Sequence, residues 1–260
     1  MKALAVATAF LCFAATAQGA VREQFVAYRH GETELTGYLA YDDAVKGKRP
    51  GVLVVHDWMG EGEFDRGVSR KLAALGYVAF AADIYGKGVR PRDTKEAAAQ
   101  AGIYRADRTL MRARARAGLD VLTGHELVDG DRVAAMGYCF GGGVSLELAR
   151  SGAPLKGVVS FHGNLDTPDP ADGKRIRGSV LVLHGADDPY VPPQQVSAFV
   201  EEMQSAGLDW MMVSYGNSVH AFTNPAAGSD NSAGAAYNEK ADRRSWEAMR
   251  TFFAEIFSRK

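Results

Sequence analysis

Six short apolar runs, separated by segments of helical pattern, narrow what this chain can fold into more than any other feature. They are "GVLVVH" (51–56), "YVAFAAD" (77–83), "RVAAMG" (132–137), "KGVVSFHG" (156–163), "SVLVLHG" (179–185) and "DWMMVSY" (209–215). Each is nearly continuous in apolar residues and bounded by Gly, Pro or Asp, which reads as a strand covered on both faces. Helical patterns lie between them at 65–75, twice within 94–122, at 142–149, at 193–206 and at 235–257. Such alternation predicts an α/β fold: a mostly parallel sheet with helices on both faces. Upstream, "EQFVAYRHGETELTGYLAYDD" alternates about His30-Gly31 and predicts an antiparallel hairpin at one sheet edge.

The chain has 260 residues, 47% of them hydrophobic, which suffices for one large core. No repeat, low-complexity tract or linker interrupts 21–260, so a single domain is expected there. The first twenty residues, "MKALAVATAFLCFAATAQGA", carry a charge at Lys2, an apolar run ending near Ala15, and small residues at Ala15, Ala17 and Gly19. That pattern predicts a signal peptide over 1–20 and a periplasmic or secreted mature protein. The run is shorter than the roughly 20 apolar residues of a membrane span. Leu11 stands where a small residue normally precedes a lipidated cysteine, so Cys12 is not read as an anchor. Lys plus Arg number 30 against 31 Asp plus Glu, a balance that recruits neither nucleic acid nor a membrane surface. A small-molecule partner and a monomer are expected.

Of two cysteines, Cys12 leaves with the signal and Cys139 stays alone. It is then either a buried inert thiol or an employed one. Ligands of such sheets bind at the carboxyl ends of the strands. In "AAMGYCFGGGVSLELA" (134–149), Cys139 follows a strand, precedes a helix and is flanked at two positions' remove by Gly137 and Gly141. This is the context of a nucleophile elbow, with Cys in place of Ser. The turn is strained, and side chains two positions to either side would collide. A helix amino terminus there favours both thiolate and oxyanion. Further on, "LVLHGADDPYVPP" places Asp187 and Asp188 after one strand and "SYGNSVHAFTNP" places His220 after the next. Nucleophile, acid, histidine is the chain order of α/β-hydrolases.

With these residues in place, the chain from about Arg22 onward resembles the dienelactone hydrolase family of α/β-hydrolases. The segments that carry the resemblance are "HDWMG" (56–60), "DIYG" (83–86), "GYCFGG" (137–142), "HGADDPYVP" (184–192), "HAFTNP" (220–225) and "AYNEKADRRSW" (236–246). The resemblance implies Cys139 as nucleophile, Asp188 rather than Asp187 as acid, His220 as base, and the backbone N–H groups of Phe140 and Trp58 as oxyanion donors. It implies hydrolysis of an ester or lactone through a thioester, with no cofactor. Asp57 matches the position of a family acid that contacts the resting thiol, and a turn-capping role is the alternative. The family holds a substrate carboxylate with two arginines. Here Asn224 stands near the second position, and whether Lys87, Arg90 or Arg92 replaces the first is left open by the sequence. An uncharged small ester or lactone is therefore expected to match or exceed an anionic one.

Tyr85, Tyr138 and Phe222, with Asn224, are candidate pocket residues, although aromatics in such positions are more often core. His56, His162 and His184 fall at strand ends near one another, but no pair has helical i, i+4 spacing and no metal site is expected. Two other classes remain open at this point. One is a catalytically silent binding protein on a hydrolase fold. The other is a thiol redox protein, which Cys139 would have to serve without a resolving cysteine.

Overall fold

The computed structural model describes residues 20–258, so all but the last residue of the expected signal segment, Cys12 included, lies outside the described residues. The hairpin forms as expected. β1 (Val21–His30) pairs antiparallel with β2 (Thr33–Asp42) along its whole length, turning at Gly31 with φ 56°. The apolar runs become β3 (Arg49–Val55), β4 (Val78–Ala82), β5 (Val128–Tyr138), β6 (Gly157–Phe161), β7 (Ser179–Gly185) and β8 (Trp210–Tyr215). All eight strands join one sheet in the order β1-β2-β4-β3-β5-β6-β7-β8. Only the two pairings made by β2 are antiparallel; every other neighbour is parallel.

The helices are α1 (Glu63–Ala74), α2 (Thr94–Ala106), α3 (Arg108–Gly124), α4 (Phe140–Arg150), α5 (Pro193–Ala206) and α6 (Glu239–Ser258). Because side chains alternate across a strand, each central strand feeds two cores. Val52 and Val54 of β3 join Leu72 of α1 and Phe253 of α6 on one face, while Leu53 and Val55 join Leu119 of α3 and Val144 of α4 on the other. Burying each such aliphatic side chain is worth about 1.5–3 kcal/mol, which is why these runs are continuous rather than alternating. β8 departs from the expected two-sided burial. It is an edge strand, and Met211 within it is 45% exposed.

Strand register decides where chemistry can happen. Val55 of β3 lies opposite Gly137 of β5, Tyr138 opposite Phe161 of β6, and Gly185 of β7 opposite Tyr215 of β8. The carboxyl ends of these strands therefore form one rim, and the loops bearing Asp57, Cys139, His162, Asp188 and His220 all leave from it. Among the described residues no helix is long and apolar enough to cross a membrane.

Candidate active site

The turn between β5 and α4 consists of one residue. Cys139 has φ 53° and ψ −117°, a conformation that L-residues rarely adopt, and α4 starts immediately after it at Phe140, two residues earlier than the helical pattern suggests. The flanking glycines are explained by backbone rather than by each other's side chains. A Cβ on Gly137 would lie 2.2 Å from the Gly141 carbonyl oxygen, and one on Gly141 would lie 2.2 Å from the Val55 carbonyl oxygen. Cys139 is only 9% exposed, and what is exposed faces a cavity of about 540 Å³.

His220 lines the same cavity. Its loop is fixed by two strand-like bonds, the His220 N–H donating to the Gly234 carbonyl at 3.2 Å and the Ala236 N–H donating to the His220 carbonyl at 3.0 Å. The ring Nδ1 lies 2.8 Å from Asp188 Oδ2, whose side chain is fully buried. Asp188 Oδ1 accepts the Tyr190 N–H at 2.8 Å, so the carboxylate has both oxygens engaged, while Asp187 is exposed. Burial disfavours a charge on His220. The Cys139 sulfur, by charge and hydrogen bond, and the Asp188 carboxylate outweigh that, pushing the imidazole up to about 10. Capping the sulfur with a neutral carboxamidomethyl group removes the largest of the raising influences. His220 should then titrate well below its value in the unmodified protein, as read by NMR of the imidazole; an unchanged titration would show that the sulfur is not its partner.

Phe140 opens α4, and Trp58 lies in the loop that follows β3. Among the described residues neither N–H has a backbone acceptor outside the helices and strands. Trp58 also lines the cavity. Asp57 takes the turn-capping role and stands at the cavity wall. Its Oδ1 accepts the Met59 N–H at 2.8 Å, a turn that shapes the Trp58 loop, and the residue also lines the cavity, with burial pushing its carboxyl up.

The aromatic candidates divide. Tyr138 lines the cavity, whereas Tyr85 and Phe222 do not. Tyr85 lies behind it, its hydroxyl donating to the Trp58 carbonyl at 3.1 Å and its ring packed on Phe140. Phe222 is fully buried against Tyr215 and His162. Both are core because their strand-end loops turn inward. Tyr190 was passed over, although it stands inside the quoted "HGADDPYVP"; its ring lies 5.2 Å from that of His220.

The strand-end histidines do not converge. His56 is fully buried, its Nδ1–H donating to the Asp57 carbonyl at 2.6 Å and its Nε2 accepting the Ile84 N–H at 3.1 Å. Among the described residues no group of three or more His, Cys, Asp and Glu is arranged to hold a metal.

The charge at the cavity comes from elsewhere in the sequence. Lys87 pairs with Glu34, Arg90 with Glu61 and Arg92 with Glu96, and none of the three lines the cavity. Asn224 does line it, with its Oδ1 committed to the Ala226 N–H at 2.9 Å. The arginine that does reach the cavity is Arg105, from the end of α2, whose Nη2 donates to Asn164 Oδ1 at 3.0 Å. No local sequence signal marks it.

The dienelactone hydrolase family model matches residues 35–257 of this chain. The chain belongs to the dienelactone hydrolase family. A solved structure described as "m3DLH" is 44% identical, with a TM-score of 0.89, covering 92% of this hydrolase and 100% of that chain. A dienelactone hydrolase-like promiscuous phosphotriesterase from metagenomic libraries is 42% identical, with a TM-score of 0.88 and coverage of 92% and 99%. A Salmonella typhimurium protein described as "Putative carboxymethylenebutenolidase" is 25% identical over 256 residues, 94% of this hydrolase and 92% of the relative.

Proposed function

We propose that this hydrolase is exported and cleaves small esters or lactones with Cys139 as nucleophile, His220 as acid and base, and Asp188 as the group that orients His220. The observation that carries the reading is the arrangement of one cysteine on a strained one-residue turn at a helix amino terminus, on the same cavity as a buried histidine–aspartate pair. Export rests on the leading twenty residues alone.

In the proposed reaction the Cys139 thiolate attacks the carbonyl carbon, a C–S bond forms, and the carbonyl oxygen takes the negative charge. The N–H groups of Phe140 and Trp58 stabilise that oxyanion, an effect worth about 3–4 kcal/mol per donor elsewhere. As the intermediate collapses, the C–O bond breaks and the leaving alkoxide takes the proton of His220. In a lactone this alkoxide stays tethered to the acyl group. The now neutral His220 removes a proton from water, the hydroxide attacks the thioester, and expulsion of the Cys139 thiolate releases the acid and restores the imidazolium. Asp188 holds Nδ1 throughout, leaving Nε2 for the reacting groups.

The test is a panel of chromogenic esters, lactones and one aryl phosphotriester, the last motivated by the 42% identical phosphotriesterase, assayed against wild type and Cys139→Ala. Ester or lactone turnover present in the first and absent in the second supports the reading. No turnover above the variant on any substrate would favour a silent binding protein.

Specificity follows from exposure. Arg105 is a cation at the cavity, but it is solvent-exposed, and a charge contact in that setting is worth about 0.2–1 kcal/mol. That is at most about a fivefold preference. An uncharged lactone and a carboxylate-bearing one should have kcat/KM values within about fivefold of each other, and Arg105→Gln should change their ratio by no more than that. A tenfold or greater preference for the anion that vanishes in Arg105→Gln would show that the guanidinium is desolvated around bound substrate.

A further inference from the structure

We propose that His162 is a positioning residue that locks the nucleophile turn to the histidine loop through its two ring nitrogens. The proposal rests on the roles given above to Cys139 and His220. His162 follows β6 directly, is 3% exposed, and has φ 41°. Its Nδ1 lies 3.2 Å from the Cys139 N–H, and since a backbone N–H can only donate, Nδ1 is the acceptor. The ring proton is therefore on Nε2, which lies 2.8 Å from Thr223 Oγ1, three residues beyond His220. One imidazole thus spans the backbone of the nucleophile and the loop of the base.

The surroundings hold that imidazole in place. The His162 N–H donates to the Leu183 carbonyl of β7 at 2.8 Å, and the ring centroid is 5.1 Å from that of His220 and 5.1 Å from that of Phe222. The next residue must be glycine: a Cβ on Gly163 would lie 2.5 Å from Ser160 Oγ and 2.8 Å from Gly142 Cα, because this turn is pressed onto the first turn of α4. Among the described residues the non-glycine positions with positive φ are Cys139, His162, Asn217 and Ala221. Three of these four belong to the site, and the His162 ring bonds to Cys139 and to Thr223, two residues past Ala221. Strain of this kind persists only where neighbours over-determine it.

Two consequences bear on the reaction. The Cys139 N–H is shared between His162 Nδ1 and the Phe161 carbonyl at 3.0 Å, so it is turned away from the oxyanion, leaving Phe140 and Trp58 as donors. His162 also brings no competing charge to His220, since burial and the charge of His220 hold it well below the ordinary histidine range. A displacement of the nucleophile by about 1 Å costs on the order of 100-fold in rate.

Three variants separate positioning from packing. His162→Phe keeps the ring volume and loses both bonds. His162→Asn keeps a side-chain acceptor for the Cys139 N–H and suits positive φ. Thr223→Val keeps the shape of Thr223 and loses its hydroxyl. The readouts are kcat and KM on a chromogenic ester, the melting temperature, and the NMR titration of His220. That titration is set by Cys139, Asp188, Asp57, His162 and His184, which face it from the surrounding loops.

His162→Phe should lose about 100-fold in kcat with KM nearly unchanged, and His220 should titrate lower as the sulfur slips. His162→Asn should recover about tenfold of that loss, and Thr223→Val should lose about tenfold. The proposal is overturned if His162→Phe keeps kcat and the His220 titration of the wild type, or if His162→Asn is no better than His162→Phe. Should His162→Phe fail to fold, Thr223→Val decides, and unchanged kcat in it overturns the proposal. A wild type without ester turnover would count against the proposed function instead, and the His220 titration would still decide the role of His162.

Discussion

Replacing Cys139 with Ala should lower turnover by on the order of 10⁵ to 10⁶, the loss seen when a triad nucleophile is removed elsewhere. That is about 7–8 kcal/mol of transition-state stabilisation. The fold should survive, because the change removes only the sulfur, which also lines the cavity, and alanine takes the same backbone geometry as cysteine. His220→Ala should cost a similar factor, and the double variant no more than either single one, because the two groups act as a unit. Multiplicative losses would mean that the sulfur and the imidazole work independently. The measurement is initial-rate kinetics on one activated ester, with melting curves to show that each variant is folded.

The second large effect is at the acid. Asp188→Asn should lower kcat by about 10³ to 10⁴, because an amide that donates to Nδ1 selects the wrong tautomer of His220. Asp187→Asn should lie within a few-fold of wild type. The contrast has a structural cause: Asp188 is buried with one oxygen 2.8 Å from His220 and the other on the Tyr190 N–H, whereas Asp187 is exposed. Equal losses in the two variants, or a larger one at Asp187, would remove Asp188 from the account.

Much of this molecule was legible from residue order, for reasons that also mark where legibility ends. Continuous apolar runs alternating with helical periods dictate parallel strands with helices between them, and the hairpin about Gly31 follows from its turn residues. The position of β4 between β2 and β3 does not follow from any local pattern, since it depends on which helices cross which face. β8 looked as apolar as the rest and is an edge strand, because composition cannot tell a last strand from an inner one. Glycines flanking Cys139 were read correctly as a close approach, but the atoms approached are the carbonyls of Gly141 and Val55.

Site residues followed the same rule. Residues on the turns that leave the strand ends were visible as motifs. Arg105, one full helix removed in sequence from the nearest of those turns, was not. Tyr85 and Phe222 carried the right composition for a pocket and lie behind it. His162 drew notice as a possible metal ligand because it sits at a strand end, while its two hydrogen bonds reach residues 23 and 61 positions away.

The central claim is that one thiol performs the chemistry. Its most direct test is to titrate the purified protein with iodoacetamide, locate the label by peptide mapping, and measure residual ester turnover at each degree of labelling. The account predicts that turnover falls linearly to zero as labelling approaches one group per chain at Cys139. A chain fully labelled at Cys139 that still turns over its ester at the original rate would contradict it.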